Sequence, residues 1–349
     1  MSILKLEEET IIKTAYDFPM IDIYDLANLK IPEAKEIVRP FIVEGSSMEI
    51  FGQSGKGKTW FTLELCLSIA TGQKFMKTFE VINPRPVWYI DGEMKIDNLR
   101  NRVDSIMRRY PIPTTIPQGY LNITNPYIAK DKMLNKINDK RTQQGIREKI
   151  KEISDKTGQS VFIVFDNLSC LTNSKENDAD DWVPMLDFYT QLKSENHSIL
   201  HIHHSGKSGQ SSRGTSRRHD ALDTIIQLQT PSDYVQSDGA YYNIEFNKTR
   251  NFAGQYAEPF GVKIKFTGEK PNQTVDWDII GFEDQKTKEV LEEYCSTYPQ
   301  ATVKSTSIAT GIPTSTVQRV IRNSKESGQY EKIMREKHGA QWEKLKQTK

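Results

Sequence analysis

Eight consecutive residues carry the clearest chemistry in this 349-residue chain: Gly52, Gln53, Ser54, Gly55, Lys56, Gly57, Lys58 and Thr59. They follow the short, mostly apolar run Met48-Glu49-Ile50-Phe51 and precede a segment that reads as helix from Trp60 to Ile69. Glycines let the backbone fold back so that successive N–H groups point inward at an anion. A helix beginning at the same point offers its positive end to the same charge. The spacing Gly-x-x-x-x-Gly-Lys-Thr in a strand–loop–helix setting predicts a nucleoside triphosphate site. Lys58 would reach the β- and γ-phosphates, and Thr59 would hold Mg2+ through its hydroxyl. Trp60 follows directly and is grouped with the nucleotide-binding residues.

Hydrolysis needs further groups at the carboxyl ends of neighbouring strands, where ligands of parallel sheets bind. Asp166 closes the five-residue apolar run Val161-Phe162-Ile163-Val164-Phe165, a strand buried on both faces, and has the position of a magnesium-orienting aspartate. Glu93 follows the run Val87-Trp88-Tyr89-Ile90 and can polarise the attacking water; Asp91 is the alternative. His201, His203 and His204 end a further strand, Ile199 to Ile202. Strand alternation sends His201 and His203 to one face and His204 to the other, which favours a phosphate-sensing role over a metal cluster. Lys248 and Arg250 stand two apart at a strand end and point the same way in extended chain. Two cations on one face suit charge neutralisation at the γ-phosphate of a neighbouring subunit; an ordinary exposed basic turn is the other reading of the same residues.

The elements that must position these groups alternate between strand and helix as far as Thr224–Leu228, which implies a parallel sheet. Tyr242, Ile244 and Phe246, then Val262, Ile264 and Phe266, then Val275, Trp277 and Ile279 alternate with polar neighbours, the pattern of half-buried antiparallel strands. Pro111, Pro113 and Pro117 mark a loop, Ile128 to Lys156 reads as a solvent-facing helix, and Asp181 to Leu192 as a helix capped by Asp181. Residues 1–45 read as a lead-in that packs on the core, residues 46–281 as the ATPase domain, and residues 284–349 as a separate helical module.

In that last module, Lys304–Thr310, a Gly311-Ile312-Pro313 turn and Thr314–Ser327 form a helix-turn-helix pattern. Ser315, Thr316, Gln318, Arg319 and Arg322 would face outward, residue types that contact phosphates and base edges. From Ala301 onward there are ten Lys/Arg against four Asp/Glu, whereas the whole chain carries a net charge of only +1. Any nucleic-acid site is therefore local. A protein-contact module is the other reading of these helices. Cys66, Cys170 and Cys295 lack metal-site spacing and suit a reducing, cytoplasmic setting. No apolar run approaches the ~20 residues of a membrane span, and the acidic N-terminus has no secretory h-region.

Taken together, the phosphate loop, the strand ending in Asp-Gly-Glu, the Phe-Asp-Asn after the buried run, His-His-Ser-Gly-Lys with Arg213-Gly214-Thr215-Ser216, and the late Lys-x-Arg resemble the RecA-type ATPases, above all the RepA-like hexameric replicative helicases of plasmids and phages. The resemblance covers roughly Ile21 to Gly281. It implies an α/β RecA-like core with a mostly parallel sheet and an antiparallel extension. It further implies Glu93 as the catalytic acid, His204 (or His203) as the nucleotide sensor, and Lys248 and Arg250 as trans fingers. The Ser205–Ser216 loop, with Lys207 and Arg213, would touch single-stranded DNA. ATP with Mg2+, a homo-oligomer, hexameric in this family, and a primase or initiator protein are the expected cofactors and partners. The C-terminal helix-turn-helix, winged-helix-like and suited to duplex DNA, is not a constant part of the RepA pattern.

Overall fold

The computed structural model describes residues 20–31, 33–110, 116–129, 133–173, 182–205, 217–231, 240–269, 271–280, 285–299 and 301–312, together with 234, 314, 317, 318, 320 and 321. Their chain order is α1 (Ile23–Asn28), a hairpin of β1 (Glu36–Val38) and β2 (Ile42–Val43), then β3 (Ser47–Gly52) and α2 (Lys58–Thr71). There follow β4 (Val87–Asp91), α3 (Ile96–Met107), β5 (Leu121–Thr124), α4 (Lys140–Thr157), β6 (Phe162–Asp166), α5 (Leu168–Leu171), α6 (Val183–Ser194) and β7 (Ser198–His204). The last elements are α7 (Arg217–Asp220), β8 (Thr224–Gln229), β9 (Tyr241–Thr249), β10 (Phe260–Thr267), β11 (Thr274–Ile280), α8 (Gln285–Thr297) and α9 (Val303–Thr310).

Among the described residues, one nine-stranded sheet runs in the order β11-β10-β9-β8-β3-β7-β6-β4-β5. The six strands from β8 to β5 pair in parallel, and β9 joins β8 antiparallel. This is the α/β core with a mostly parallel sheet and an antiparallel extension expected from the sequence. Parallel strands covered on both faces must be apolar throughout, and β6 is buried at every residue. The helix after the phosphate loop is enclosed as well, with Phe61 to Ala70 all buried.

Three expectations change. The Ile128–Lys156 helix begins only at Lys140, because the Asp139 carboxylate accepts from the Thr142 N–H and caps it there; residues 126–128 form a separate single turn, and Ile137 before the cap is buried. Leu121–Thr124, unassigned from sequence, is an edge strand. Within the lead-in, no residue of α1 is buried, whereas the hairpin does pack: the Phe41 ring lies 5.4 Å from Phe246 and 4.6 Å from Phe79. Asp181 lies outside the described residues; α6 starts at Val183 with Pro184 in its first turn, where the missing N–H costs nothing.

The chain divides into two compact units, residues 1–258 with 262–278, and residues 259–261 with 279–349. In the second, Leu291, Val317 and Val320 form a small core with Val303, Ile312 and Ile321 against it. Thr302 caps α9 and Gly311 ends it at φ +70°, so the expected turn is where the sequence put it.

Candidate functional site

The phosphate loop leaves β3 at Gly52 and enters α2 at Lys58. Two of its glycines are required by the space around them. A Cβ on Gly52 would lie 2.7 Å from the Leu228 carbonyl oxygen of β8, so the strands approach closely only because it is absent. Gly57 sits at φ +96°, and a Cβ there would meet the Ala240 Cβ at 2.6 Å. Lys58 is buried, and its Nζ donates to the carbonyls of Gly52 (2.9 Å) and Gln53 (2.8 Å). The same ammonium lies 3.3 Å from His204 Nδ1, which must accept, so the neutral ring carries its proton on Nε2. Lys56 lies over the ring of Tyr234, with its Nζ 4.0 Å from the centroid.

In the sheet, β7 separates β3 from β6, and β4 follows β6. That order brings Asp166 and Asp91 side by side in register. Asp166 is buried, accepts a 2.5 Å hydrogen bond from the Tyr89 hydroxyl, and is hydrogen-bonded by the Thr59 side chain. Burial, with the Asp91 charge beside it, pushes its carboxyl up to about 6. The peptide from Asp166 to Asn167 is cis. A hydroxyl and a carboxylate at the phosphate cradle are hard oxygen donors, and this donor set fits Mg2+, which Thr59 and Asp166 would hold.

The two acids of Asp-Gly-Glu are in different situations. Asp91 is buried, and both its oxygens are engaged: Oδ1 accepts from the N–H groups of Glu93 (3.0 Å) and Met94 (3.1 Å), and Oδ2 from the Asn125 amide (2.8 Å). Its carboxyl is pushed up by burial. Glu93 is exposed at the cleft edge, where Oε2 accepts from Asn167 Nδ2 at 2.6 Å. Of the pair, Glu93 is the one presented to solvent.

These groups line one open cleft of about 700 Å³, within the range of small-molecule sites. Ser54, Gly55, Lys58, Thr59, Glu93, Asp166, Asn167 and His204 share it with Trp60, Tyr234 and Phe266. Trp60 packs edge-on against Phe266 at 5.4 Å, with the Arg102 guanidinium 5.1 Å from the Trp60 ring. His203 is on the other side of β7: it is buried, its Nδ1–H donates to the His204 carbonyl (3.0 Å), and burial lowers its pKa to about 4. Of the two histidines, only His204 faces the cleft. Among the described residues no His/Cys/Asp/Glu cluster suits a metal ion.

Lys248 and Arg250 are elsewhere. Because β9 runs antiparallel to β8, Lys248 pairs with Ile225 and the Arg250 N–H donates to the Asp223 carbonyl, at the amino edge of the parallel strands. The phosphate loop leaves at the level of Leu228, so Arg250 lies five residues of strand, about 17 Å, below it. The two side chains do point the same way. Lys248 Nζ donates to the His219 carbonyl (2.6 Å), and Arg250 to the Asp220 carbonyl (2.9 Å). Of the expected DNA contacts, Gln318 is exposed on a helical residue; Lys207, Arg213, Ser315, Thr316, Arg319 and Arg322 lie outside the described residues.

Sequence reasoning missed Tyr89, Asn125 and Asn167. Tyr89 stands two before Asp91, on the same face of β4, a signal that was available; its pairing with Asp166 needed the strand order. Asn167 stands in the sequence only as the last residue of Phe-Asp-Asn; in the fold its amide donates to Glu93 Oε2.

Residues 14–210, more than half of the chain, match the family described as AAA domain. The chain belongs to that family. The match takes in the phosphate loop, Glu93, Asp166 and His204, so the cleft is the P-loop ATPase site of an AAA domain. No curated protein matches the sequence. Among solved structures, a KaiC-like protein of the hyperthermophilic archaeon Pyrococcus horikoshii is similar at 13% identity, over 69% of this chain and 93% of that one, with a TM-score of 0.45. Among the described residues, no helix is long and apolar enough to cross a membrane.

Proposed function

We propose that the chain is an ATP-driven DNA helicase of RepA-like type, working as a ring in the replication of a plasmid, phage or other mobile element. The carrying observation is the distance between the Lys248/Arg250 pair and the chain's own phosphate loop. About 17 Å of strand separates Arg250 from the loop, too far for one side chain to bridge. If these cations serve a γ-phosphate, it is that of another copy, and each site is completed by its neighbour.

Within one copy, Lys58 neutralises phosphate charge, and Thr59 and Asp166 would hold Mg2+, whose charge would further stabilise the transferred phosphoryl group. Glu93, held by Asn167, polarises the attacking water. His204 joins β7 to the ammonium of Lys58 and senses the γ-phosphate. The Ser205–Ser216 segment follows it directly, so nucleotide state is passed to Lys207 and Arg213 on single-stranded DNA. The basic stretch after Ala301 supports duplex binding through Ser315, Thr316, Gln318, Arg319 and Arg322.

A second reading, a non-unwinding loader or regulator bound at a specific DNA site, is favoured by one feature: the compact second unit with its capped α9 and Gly311 turn. Unwinding of forked DNA with ATP and Mg2+, with Lys58→Ala protein as control, tests the choice. ATP-dependent strand separation is expected. DNA-stimulated hydrolysis without separation supports the loader, and absence of hydrolysis refutes both.

A further inference from the structure

Glu49 lies three residues before the phosphate loop, in the middle of β3, and is fully buried. A carboxylate there needs charged or hydrogen-bonding partners. His201 Nε2–H donates to its Oε2 at 2.9 Å, and His201 Nδ1 accepts from the Tyr189 hydroxyl at 3.1 Å. Arg218 Nε donates to the same Oε2 at 2.7 Å, and His219 Nε2 lies 3.3 Å from Oε1. Burial alone would raise the Glu49 carboxyl; the two histidines and the Arg218 charge outweigh it and hold it well below the usual range.

Nothing in this cluster lines the nucleotide cleft. Its geometry leads the other way. Arg218 and His219 belong to α7, a helix of only four residues that makes one turn. Its side chains point at Glu49, while its backbone carbonyls at His219 and Asp220 receive Lys248 (2.6 Å) and Arg250 (2.9 Å). So short a helix has little stability of its own and holds its place through such contacts. The α7 turn is therefore a bracket between the strand that carries the phosphate loop and the two cations at the far edge of the sheet.

We propose that Glu49 is a positioning residue: through Arg218 and His219 it fixes α7, and through the α7 carbonyls it sets the Lys248/Arg250 pair for use on a neighbouring copy. The proposal rests on the shared-site reading above. Glu49 would then matter to turnover of the neighbour's nucleotide and not to binding of its own.

Mixing full-length variants tests this. Glu49→Gln alone should bind a fluorescent ATP analogue within about threefold of the parent affinity. Its turnover should fall by more than about tenfold, part of the ~10³ that such cations supply. Mixed with Lys58→Ala chains, it should recover activity, since an intact phosphate loop then meets intact fingers. Mixed with Arg250→Ala chains, it should not, because both partners lack working fingers. Recovery in that second mixture would locate the damage at Glu49's own phosphate loop and overturn the proposal, as would normal turnover of Glu49→Gln alone. The control mixture of Arg250→Ala with Lys58→Ala separates the two levels. Recovery there keeps the shared site, and its failure in assemblies shown to be mixed overturns the shared site and this proposal together. If Glu49→Gln does not fold, Arg218→Lys, which keeps the charge and loses the fork, is read in the same mixtures.

Discussion

Replacing each acid of Asp-Gly-Glu by its amide should give opposite results, and the hydrogen bonds say why. Glu93 accepts one bond, from Asn167 Nδ2 at 2.6 Å, and is otherwise exposed. The Asn167 amide is pinned, because its Oδ1 accepts from the Cys170 N–H at 3.1 Å. A glutamine can still offer Asn167 its oxygen and turn its NH2 to water, so the fold should lose no more than about 0.5 kcal/mol. Loss of the general base should cost ~10² to 10⁴ in turnover, roughly 3–5 kcal/mol on the barrier, with nucleotide affinity kept. Asp91→Asn is different. With its oxygen kept on the Glu93 and Met94 N–H groups, its new NH2 faces Asn125 Nδ2. Asn125 cannot turn over, since its Oδ1 accepts from the Tyr127 N–H at 2.9 Å and its Nδ2 also donates to the Met94 carbonyl at 2.8 Å. Two buried donors then oppose each other, at a cost of about 1–3 kcal/mol. Urea melts with a coupled ATPase assay and fluorescent-nucleotide titration measure all three quantities. Normal turnover in Glu93→Gln, or an inactive but fully stable Asp91→Asn, would refute the assignment and make Asp91 the base.

Lys58→Ala should weaken ATP binding about ten- to a hundredfold in a direct titration, because a charge-assisted hydrogen bond is worth roughly 1.5–3 kcal/mol. Arg250→Ala should abolish turnover while leaving binding by single copies near normal, and activity should return in mixtures with Lys58→Ala protein. Burial holds the His197 imidazole down at about 4, and its Nδ1 accepts from the Val161 N–H at 3.0 Å. At this site the folded chain therefore binds fewer protons than the unfolded one between pH 6.5 and 4. The contribution of His197, present above pH 6.5, should fall by about 2–3 kcal/mol on going to pH 4.5, read in urea melts as the difference in pH dependence between the parent and His197→Asn. Alanine at both Arg319 and Arg322 should reduce the slope of log K against log salt for duplex DNA by roughly 0.9 per lost phosphate contact, with no change in basal ATPase rate.

Much of the fold could be read because its signals were local. The run from Val161 to Phe165 is too short for a helix and too apolar for an exposed strand, and alternation in β9, β10 and β11 marked half-buried strands directly. What failed were the places where tertiary context decides. Leu121-Asn122-Ile123-Thr124 is an edge strand with every residue only half-buried, so neither a continuous apolar run nor clean alternation appears. The polar stretch after Ile128 has helical composition throughout, yet residues 133–139 are not helical and the helix waits for the Asp139 cap. In the lead-in, Ile23, Tyr24 and Leu26 look like core residues but are exposed, whereas Phe41, further along the same lead-in, enters the aromatic layer.

At the site, the same division holds. Residues that act through a fixed spacing, from Gly52 to Thr59, needed no structure, because the loop closes on itself. Residues that act through strand neighbours did need it. Tyr89 reaches Asp166 only because β4 lies beside β6, and the second oxygen of Asp91 is occupied only because Asn125, past β5, donates to it. The separation of the cations from the loop is the clearest case. Lys248 and Arg250 follow a strand, as Glu93 and Asp166 do, and the sequence alone invites placing all four at one edge. The antiparallel turn of β9 reverses that: a residue at the end of an antiparallel neighbour lies at the beginning of the parallel strands. Glu49 is the same lesson inside a strand. In the run Met48-Glu49-Ile50-Phe51 it reads as one polar residue among apolar ones. It is buried because β7 and α7 bring it two histidines and an arginine, and that charge cluster ties the strand of the phosphate loop to the edge where the cations stand.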